Sequence, residues 1–233
     1  MIKIKILVAF LFLSSLIIPA FAQQDINVLV AKAKQKIDKV NNYVANGRMK
    51  TNVAFLKVPV ADVNVYFSKP NKLAIKSQKG VSFIPKGAVS INLNNIIGSG
   101  DFTIIDAGTE KIGTNTVRVA KLLPNDDNSD VVLSTVYIDE ANSLITKAKT
   151  TTRDNGTFEL QMFYGKYAAY GLPDKIIFSF NTKDYKLPKG MTFDFDDGTT
   201  QTPADKTKNR KGKAEITFNA YTINKGVPNS MFL

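Results

Sequence analysis

The residues of this sequence that are best suited to binding a metal ion are clustered aspartates, but their spacing does not match a calcium loop. The segment "DFDDG" (Asp194 to Gly198) invites a calcium interpretation. An EF-hand loop needs acids at positions 1, 3 and 5, glycine at 6 and glutamate at 12. Counted from Asp194, glycine already stands at position 5 and Asp205 at position 12. "NDDNSD" (Asn125 to Asp130) fails as well, because Val131 occupies the place of the glycine. We therefore predict solvated turns at both places and no metal site.

The composition removes the residue types on which most enzymes depend. The 233-residue chain contains no histidine and no cysteine, so the most frequent general base, the thiol nucleophile and His/Cys zinc sites are excluded. Without cysteine, an exported protein has no disulfide and depends on its core for stability. No glycine-rich phosphate loop and no G-x-S-x-G motif occur. We expect no cofactor and no enzymatic activity. An enzyme built on carboxylates such as Asp194 and Asp196 is the remaining catalytic alternative.

A different kind of site is indicated by the stretch "VNVYFSKPNKLAIKS" (63–77). Apolar residues alternate with polar ones through it, and a basic turn around Pro70 divides it into two halves. Because side chains on a strand alternate with a period of two, the apolar ones share one face of a bent or hairpinned strand pair. Such a face either closes on a core or holds an apolar ligand. Its residues are Val63, Val65, Phe67, Leu73 and Ile75.

The first residues have the features of a secretory signal peptide. Two lysines within Met1 to Lys5 precede an apolar stretch of 13 residues, Ile6 to Ile18, and Ala20-Phe21-Ala22 provides a small-x-small cleavage site. An uncleaved membrane anchor is the alternative, but a bilayer span needs about 20 apolar residues. We predict that residues 1–22 are removed near Ala22 and that residues 23–233 form a single exported, periplasmic domain.

The mature part begins with the one long helix that the sequence predicts, Asp25 to Val44. Its apolar residues recur at steps of three and four, which is the pattern of an amphipathic helix that packs one stripe on a sheet. Asp25 is a suitable N-cap. The stripe consists of Ile26, Leu29, Val30, Ala33, Ile37, Val40 and Val44.

After the helix the hydrophobic period changes to two, and about eleven strands follow at short spacing. Most are joined by turn residues, as at Asp154-Asn155-Gly156, where Asn-Gly accepts the positive φ of a tight hairpin. This pattern is typical of an antiparallel meander, open or nearly closed, and predicts a mainly β (α+β) fold. The predicted strands are Arg48–Val58, Val60–Lys69, Lys72–Gln78, Val81–Ile84, Phe102–Asp106, Thr116–Leu123, Val131–Asp139, Leu144–Arg153, Thr157–Tyr164, Asp174–Asn181 and Ala214–Asn224.

Two segments interrupt the strand pattern. Ser90 to Gly98 carries Leu93, Ile96 and Ile97 at helical spacing, which predicts a short helix or a buried loop. Asp197 to Lys213 is a polar tract with five basic residues and predicts a loop before the last strand. Clustered lysines suit phosphate or an anionic membrane surface, and the lack of interleaved aromatic residues argues against single-stranded nucleic acid. A solvated loop is the alternative.

The order of these features resembles the periplasmic outer-membrane lipoprotein carriers, the LolA/LolB-like group. In that group a signal is followed by a helix that ends in a Lys-Val-x-x-aromatic stretch, which Lys39-Val40-Asn41-Asn42-Tyr43 matches. The strands then lead to a basic-Pro-Asn turn, which Lys69-Pro70-Asn71 matches. The similarity is clearest over Val28 to Ser77. "YGKYAAYGLPDKIIFSF" (Tyr164 to Phe180) resembles the lipoprotein-sorting branch of the same group.

The resemblance implies a half-open antiparallel β-barrel that wraps around the N-terminal helix, with Ser90 to Gly98 as a short plug helix. It also implies an apolar cavity for acyl chains of lipoproteins or lipids, with Lys69 holding a lid closed over the empty cavity. The family typically has arginine at this place, and lysine lacks the planar fork of a guanidinium group. The implied cavity residues are Val65, Phe67, Leu73, Ile75, Leu93, Ile96 and Ile97.

The resemblance further implies a transport function. A soluble periplasmic carrier would take acyl chains from an inner-membrane donor complex to an outer-membrane acceptor. The absence of a lipobox cysteine favours such a carrier over the membrane-anchored acceptor. We expect a monomer. The alternative is a cell-envelope structural or interaction protein of the same fold, whose core is filled and which transports nothing.

Overall fold

The computed structural model describes residues 24–53, 56–57, 59–77, 97, 101–154, 156–181 and 211–232. These residues form an α-helix, two short 3-10 turns and an antiparallel sheet of eleven strands, which confirms the predicted fold class. Within these ranges no helix is long and apolar enough to cross a membrane. The elements are α1 (Ile26–Asp38), β1 (Asn42–Val53), β2 (Leu56–Lys57), β3 (Ala61–Ser68), β4 (Lys72–Ser77), β5 (Phe102–Ile112), β6 (Asn115–Pro124), β7 (Val131–Asp139), β8 (Leu144–Thr152), β9 (Gly156–Phe163), β10 (Lys175–Asn181) and β11 (Lys211–Ile223), with 3-10 turns at Ala168–Tyr170 and Asn229–Phe232.

The strand order explains how the meander becomes a half-open barrel. β1, β3 and β4 are sequential neighbours in one set, and β5 to β10 are sequential neighbours in another. The last strand, β11, pairs with β1 on one side and with β10 on the other. The resulting order is β4-β3-β1-β11-β10-β9-β8-β7-β6-β5, with the two-residue β2 beside β1. In the described part of the chain β4 and β5 are the two edges, so the sheet stays open between them.

The helix begins where the sequence predicts and ends earlier. The Asp25 carboxylate accepts hydrogen bonds from the N–H groups of Asn27 at 2.7 Å and Val28 at 3.4 Å, which confirms the N-cap. α1 ends at Asp38, so the prediction that it continues to Val44 is wrong. Val44, four residues after Val40, continues the helical spacing of the apolar residues, but it also fits the alternation of a strand and lies in β1. The period of the apolar residues alone cannot separate the two over so few positions.

Several strand boundaries also differ from the prediction. β1 begins at Asn42 and not at Arg48, because the helix stops earlier. β5 continues to Ile112 through an irregularity in its register, and β11 begins at Lys211, inside the tract that the sequence predicts as a loop. β7 has the predicted bounds. The predicted strand 81–84 lies outside the described residues, as does the predicted plug 90–98 apart from Ile97.

The sheet has one continuous apolar side, which we call the inner face. Cross-strand register places its side chains opposite one another; Val65 of β3, for example, faces Ile75 of β4 and Ala45 of β1. α1 packs on the inner face at β5, β6 and β7. On this face the buried apolar residues form a main cluster, which contains the stripe of the helix, and a second cluster, while a small third cluster of Val117, Val119 and Tyr137 lies on the other face of β6 and β7. The main cluster is Ile26, Leu29, Val30, Ala33, Ile37, Ile97, Ala120, Leu122, Val136, Ile138, Ile145, Ala148, Phe158, Leu160, Met162, Phe178, Phe180 and Ala214. The second cluster is Ala45, Met49, Ala61, Val63, Val65 and Phe218.

Candidate functional site

The hairpin of β3 and β4 presents the apolar residues that the sequence singles out on one face. Val65 pairs with Ile75, and Phe67 pairs with Leu73. Val65 and Phe67 are buried, whereas Leu73 and Ile75 are half-buried. Because paired residues of an antiparallel ladder project to the same side, the four side chains form one surface. The alternation in the sequence therefore has the parity that places all four on the inner face.

The second cluster is bordered by large apolar side chains that keep part of their surface accessible. Leu73, Ile75, Ile176 and Ile216 pack against the cluster and are half-buried, as are two tyrosines. The Tyr43 ring stacks on Phe67 at a centroid distance of 5.2 Å. The stripe of α1 belongs to the main cluster and not to this one. This half of the inner face is thus apolar and is not where the helix packs.

The predicted plug residues are described in part. Ile97 is buried in the main cluster together with the stripe of the helix. Leu93 and Ile96 lie outside the described residues. The structure therefore places Ile97 in one cluster and Val65 in the other, with Leu73 and Ile75 packed against the second. The use of these seven residues as the wall of an acyl cavity stays a prediction.

Lys69 is fixed to the end of the helix. Its Nζ donates a hydrogen bond to the main-chain oxygen of Asp38 at 2.9 Å and lies 3.5 Å from the Asp38 Oδ1. Its own N–H donates to the Asn41 oxygen at 2.8 Å, and the Lys69–Pro70 peptide is cis. A contact between Lys69 and a lid over residues 90–98 concerns residues outside the described ranges, so the gate stays a prediction.

Asn224 holds the same junction from the opposite side, and sequence reasoning missed it. Its Oδ1 accepts hydrogen bonds from the N–H groups of Asn41 at 2.7 Å and Asn42 at 3.3 Å, while its Nδ2 donates to the Lys39 oxygen at 2.8 Å. Its φ is 57°, a region in which asparagine is tolerated better than most residues. The one available signal was an asparagine directly after a strand, which is too common to indicate a long-range contact.

Three half-buried tyrosines, Tyr43, Tyr164 and Tyr221, pack against the clusters of the inner face. The Tyr221 hydroxyl donates to the Pro173 oxygen at 2.7 Å, and the Tyr164 hydroxyl donates to the Ile145 oxygen at 2.7 Å. Burial raises the pKa of Tyr43, Tyr164 and Tyr221 well above the ordinary value, with a smaller contribution to Tyr221 from the neighbouring Tyr43 and Asp174. These tyrosines are therefore neutral packing and hydrogen-bonding groups at physiological pH.

A separate pocket of about 1060 Å³ opens at the ends of the β5–β6 and β7–β8 hairpins. Apolar residues such as Leu144, Met162 and Phe163 form part of its wall, and polar residues such as Asn115 and Asp139 form another part. None of the residues that the sequence predicts for an acyl cavity lines it. This pocket therefore lies outside the predicted acyl cavity, although Met162 in its wall also belongs to the main cluster.

The comparisons with known proteins bear on the fold. No family model and no curated protein matches the sequence. Among the solved structures that match, three with TM-scores of 0.50 or more cover 88–91% of this chain. A domain named for outer membrane lipoprotein sorting, from Vibrio parahaemolyticus, has 11% identity and a TM-score of 0.53, covering 88% of this chain and 94% of its own. A LolA superfamily protein from Nitrosomonas europaea has 12% identity and a TM-score of 0.54, covering 91% and 98%. A DUF1329 family protein from Desulfovibrio piger has 11% identity and a TM-score of 0.50, covering 88% and 95%.

These neighbours define the class to which the architecture belongs. The open antiparallel sheet with an α-helix packed on its inner face shares its fold with these solved structures, one of which is named for outer membrane lipoprotein sorting and another for the LolA superfamily. The resemblance that the Lys69-Pro70-Asn71 turn indicates in the sequence is therefore confirmed at the level of the fold. Identities of 11% and 12% extend the likeness to the fold alone.

Proposed function

We propose that this protein is a soluble periplasmic carrier that binds the acyl chains of lipoproteins or lipids on its inner face and transfers them toward the outer membrane. The observation that supports the proposal is the apolar half of the inner face around the second cluster. There, Leu73, Ile75, Ile176 and Ile216 are half-buried although they point to the concave side of the sheet. The solved neighbours named for lipoprotein sorting and the LolA superfamily agree with such a role.

The energetics of this surface suit an acyl chain. Burial of each CH₂ group contributes about 0.8 kcal/mol, so a sixteen-carbon chain offers roughly 10 kcal/mol before the cost of ordering it. No catalytic group is required, because a carrier only needs to remove the chain from water and release it at a membrane. The half-buried side chains of Leu73 and Ile75 still have surface to lose when a chain arrives.

The central test is whether the protein carries lipid when it is isolated without detergent. We expect mass spectrometry of the gently extracted, exported protein to find a co-purified acyl compound. We also expect a fluorescent acyl probe to bind the delipidated protein and to be displaced by a diacylated lipopeptide. An empty protein that binds neither the probe nor the lipopeptide would contradict the carrier function.

Lys69 is proposed as the gate of this carrier. Its hydrogen bond to Asp38 fixes one side of the β3–β4 turn to α1, and a lid formed by residues 90–98 would engage the same ammonium group. Under this hypothesis Lys69→Leu loosens the closed state and slows the release of cargo, while Lys69→Arg behaves like the wild type or closes more tightly. Stopped-flow release of an acyl probe measures the effect, and unchanged release in both variants would reject the gate.

Export and transfer complete the proposal. We propose that the chain is cleaved near Ala22, and N-terminal sequencing of the exported protein tests this directly.

An inner-membrane donor complex would load the carrier and an outer-membrane acceptor would unload it. The basic tract 197–213 would approach an anionic membrane surface. Acyl transfer from donor to acceptor vesicles should then slow at high salt, since screening weakens such attraction.

The alternative role, an envelope interaction protein with a filled core, is favoured by one observation. The ring of Phe178 stacks on those of Phe158 and Phe180, with a centroid distance of 5.5 Å in each pair. All three rings belong to the main cluster of the inner face. A fully filled core would leave no room for a chain. The same mass-spectrometry and probe measurements decide between the two roles.

A further inference from the structure

An ion pair between a buried arginine and an exposed aspartate lies on the inner face, apart from the residues discussed so far. Arg118 on β6 is only 6% exposed, and its Nη2 donates to the Oδ2 of Asp106 on β5. Register places Arg118 opposite Ile138 of β7, and Ala120 lies two residues further along the same strand. Ile138 and Ala120 are fully buried members of the main cluster. A guanidinium group therefore stands at the border of the apolar core.

The local backbone holds the carboxylate in position. The register of β5 against β6 shifts between Asp106 and Thr109, and Gly108 within this bulge has a φ of 80°, which favours glycine. The N–H group of Gly108 donates to the Asp106 Oδ1 at 2.9 Å. One carboxylate oxygen is thus fixed by the bulge, and the other faces Arg118. The bulge therefore determines where the guanidinium group lies.

The pair leaves donors of Arg118 without acceptors. Its Nε and Nη1 are buried and have no hydrogen-bond partner in the part of the chain that the structure describes, and together these two atoms carry three N–H groups. A buried donor without an acceptor is unfavourable, and native proteins keep such groups where a ligand, an ordered water or a functional role accounts for them. The site is therefore prepared for an oxygen acceptor that arrives from outside the fold.

The charges indicate which kind of acceptor fits. Asp106 already neutralises Arg118, so a second anion would come close to a carboxylate without a free positive charge to compensate for its own desolvation. A neutral carbonyl oxygen accepts a hydrogen bond from Nε or from Nη1, which point in different directions, and adds no charge. The neighbouring Ile138 and Ala120 supply an apolar setting for the chain that such a carbonyl would carry. These two requirements, a carbonyl and an attached hydrocarbon chain, meet in an acyl ester.

The position of the pair in the sheet is compatible with such a ligand. β5 and β6 form one lip of the open barrel, and β4, with Leu73 and Ile75, forms the other. The side chain of Asp106 is 37% exposed and that of Arg118 is 7% exposed, so solvent contacts the carboxylate at the β5 side of the pair while the guanidinium group is buried behind it. An ester group near the lip would thus meet Arg118 while its chain lies along the inner face.

We propose that Arg118, positioned by Asp106, donates a hydrogen bond from Nε or Nη1 to the carbonyl oxygen of a neutral acyl ester. The inference rests on the proposed carrier function and adds the chemical class of the headgroup region that the carrier recognises. It separates glycerol esters, which have carbonyls, from ether lipids with the same chains, which do not.

The test compares a diacylglycerol with the dialkyl ether analogue of equal chain length, each competing with a fluorescent acyl probe on the exported full chain. We expect the wild type to bind the diester roughly tenfold more tightly, since hydrogen bonds to a charged donor have about this effect. Arg118→Met should abolish the preference and leave the affinity for the ether unchanged. Lys121→Met is the matched control, because Lys121 is the exposed cation on the opposite face of β6; it should keep the preference.

Each contrary result has a distinct meaning. Equal wild-type affinity for ester and ether would mean that water satisfies Arg118, and would overturn the inference while the carrier function stands. Binding of neither compound would overturn the carrier function and the inference with it. Tighter binding of phosphatidic acid than of diacylglycerol, lost in Arg118→Met, would show that the ligand is an anion and would also overturn the inference. If Arg118→Met does not fold, Arg118→Lys keeps the cation without the planar donors and should reduce the ester preference.

Discussion

The ammonium group of Lys69 donates a hydrogen bond to the main-chain oxygen of Asp38 at 2.9 Å, which joins the β3–β4 turn to the last residue of α1. The final carbonyl groups of a helix have no partners within the helix and carry the negative end of its dipole, so a cation there is favourable. The main chain of Lys69 is tied to the same region through the Asn41 oxygen. The β3–β4 turn is therefore anchored to the end of α1 by both the main chain and the side chain of Lys69.

This contact predicts a specific loss of stability. Lys69→Met keeps most of the apolar stem and removes the donor, and we expect the free energy of unfolding to fall by about 1–2 kcal/mol. Lys34→Met is the matched control, because Lys34 also contacts the Asp38 carboxylate, at 2.7 Å, but does not reach the helix carbonyl. An exposed pair of that kind is worth about 0.5 kcal/mol. Urea denaturation measures both, and equal losses would contradict the role of the Asp38 carbonyl.

Asn224 provides the second prediction. Asn224→Gly keeps the positive φ but loses the side-chain hydrogen bonds to Asn41, Asn42 and Lys39, so we expect the free energy of unfolding to fall by about 1–3 kcal/mol. Asn224→Asp retains the acceptor oxygen and should lose only part of this. Ser143→Gly, at a φ of 48° in the β7–β8 turn, is the control and should not destabilise the protein. Equal stability of wild type and Asn224→Gly would mean that the junction is held by the main chain alone.

The strands and the helix show how much of the fold the sequence could predict and where the prediction stops. The strands followed from alternation, and β7 has the predicted bounds because its apolar pattern is bordered by turn residues on both sides. The start of α1 followed from the Asp25 cap. The end of α1 could not be predicted in this way. The junction after Asp38 is held by Asn224, which accepts a hydrogen bond from Asn41, 183 positions away in the sequence. Nothing local in the sequence encodes such a contact.

The candidate site was predictable to the same extent. Parity alone put Val65, Phe67, Leu73 and Ile75 on one face, since a strand fixes the direction of its side chains. The Arg118–Asp106 pair was not foreseen, because it depends on the register between β5 and β6 and on the bulge at Gly108. The insertion of β11 between β1 and β10 is likewise a long-range pairing.

The half-buried tyrosines of the inner face predict a loss of stability at alkaline pH. Burial raises the pKa of Tyr43, Tyr164 and Tyr221 in the folded protein above the value of about 10 that the unfolded chain has. Their contribution is therefore complete below pH 10 and is lost as the pH rises beyond it, by up to about 1.4 kcal/mol per pH unit for each tyrosine. Urea midpoints between pH 7 and about 12 should fall steeply above pH 10. Tyr164→Phe should make the fall shallower; an unchanged slope would contradict the assignment.

Gly212 gives a prediction about packing on the inner face. A Cβ atom at this position would overlap the buried ring of Phe180, which lies across β11. Because overpacking of a core costs about 1–3 kcal/mol, Gly212→Ala should lower the free energy of unfolding by this amount. Phe180→Leu removes the end of the ring, so Gly212→Ala should cost clearly less in that background. Additive losses in the double-mutant cycle would show that the two positions do not interact.

The last prediction concerns the half-buried apolar residue Ile75 and its neighbour on the same strand. Ile75→Glu would place a charge on the inner face opposite Val65, and the acyl chain would then have to bury that charge, which costs far more than a single methylene contributes. We expect the affinity for an acyl probe to fall at least about tenfold, corresponding to a loss of about 1.4 kcal/mol. Ala74→Glu is the matched control, because Ala74 is adjacent in β4 but projects to the opposite face, where it pairs with Tyr66. Ala74→Glu introduces the same charge into the same strand and should leave the affinity unchanged.

Circular dichroism and urea midpoints must first show that both variants are folded. Ile75→Ala serves as a milder substitution if Ile75→Glu does not fold. Equal affinities of the wild type, Ile75→Ala and Ala74→Glu for the probe would exclude this part of the inner face as the acyl site. Equal losses of affinity in Ile75→Glu and Ala74→Glu would mean that charge on the strand, and not its position on the inner face, weakens binding.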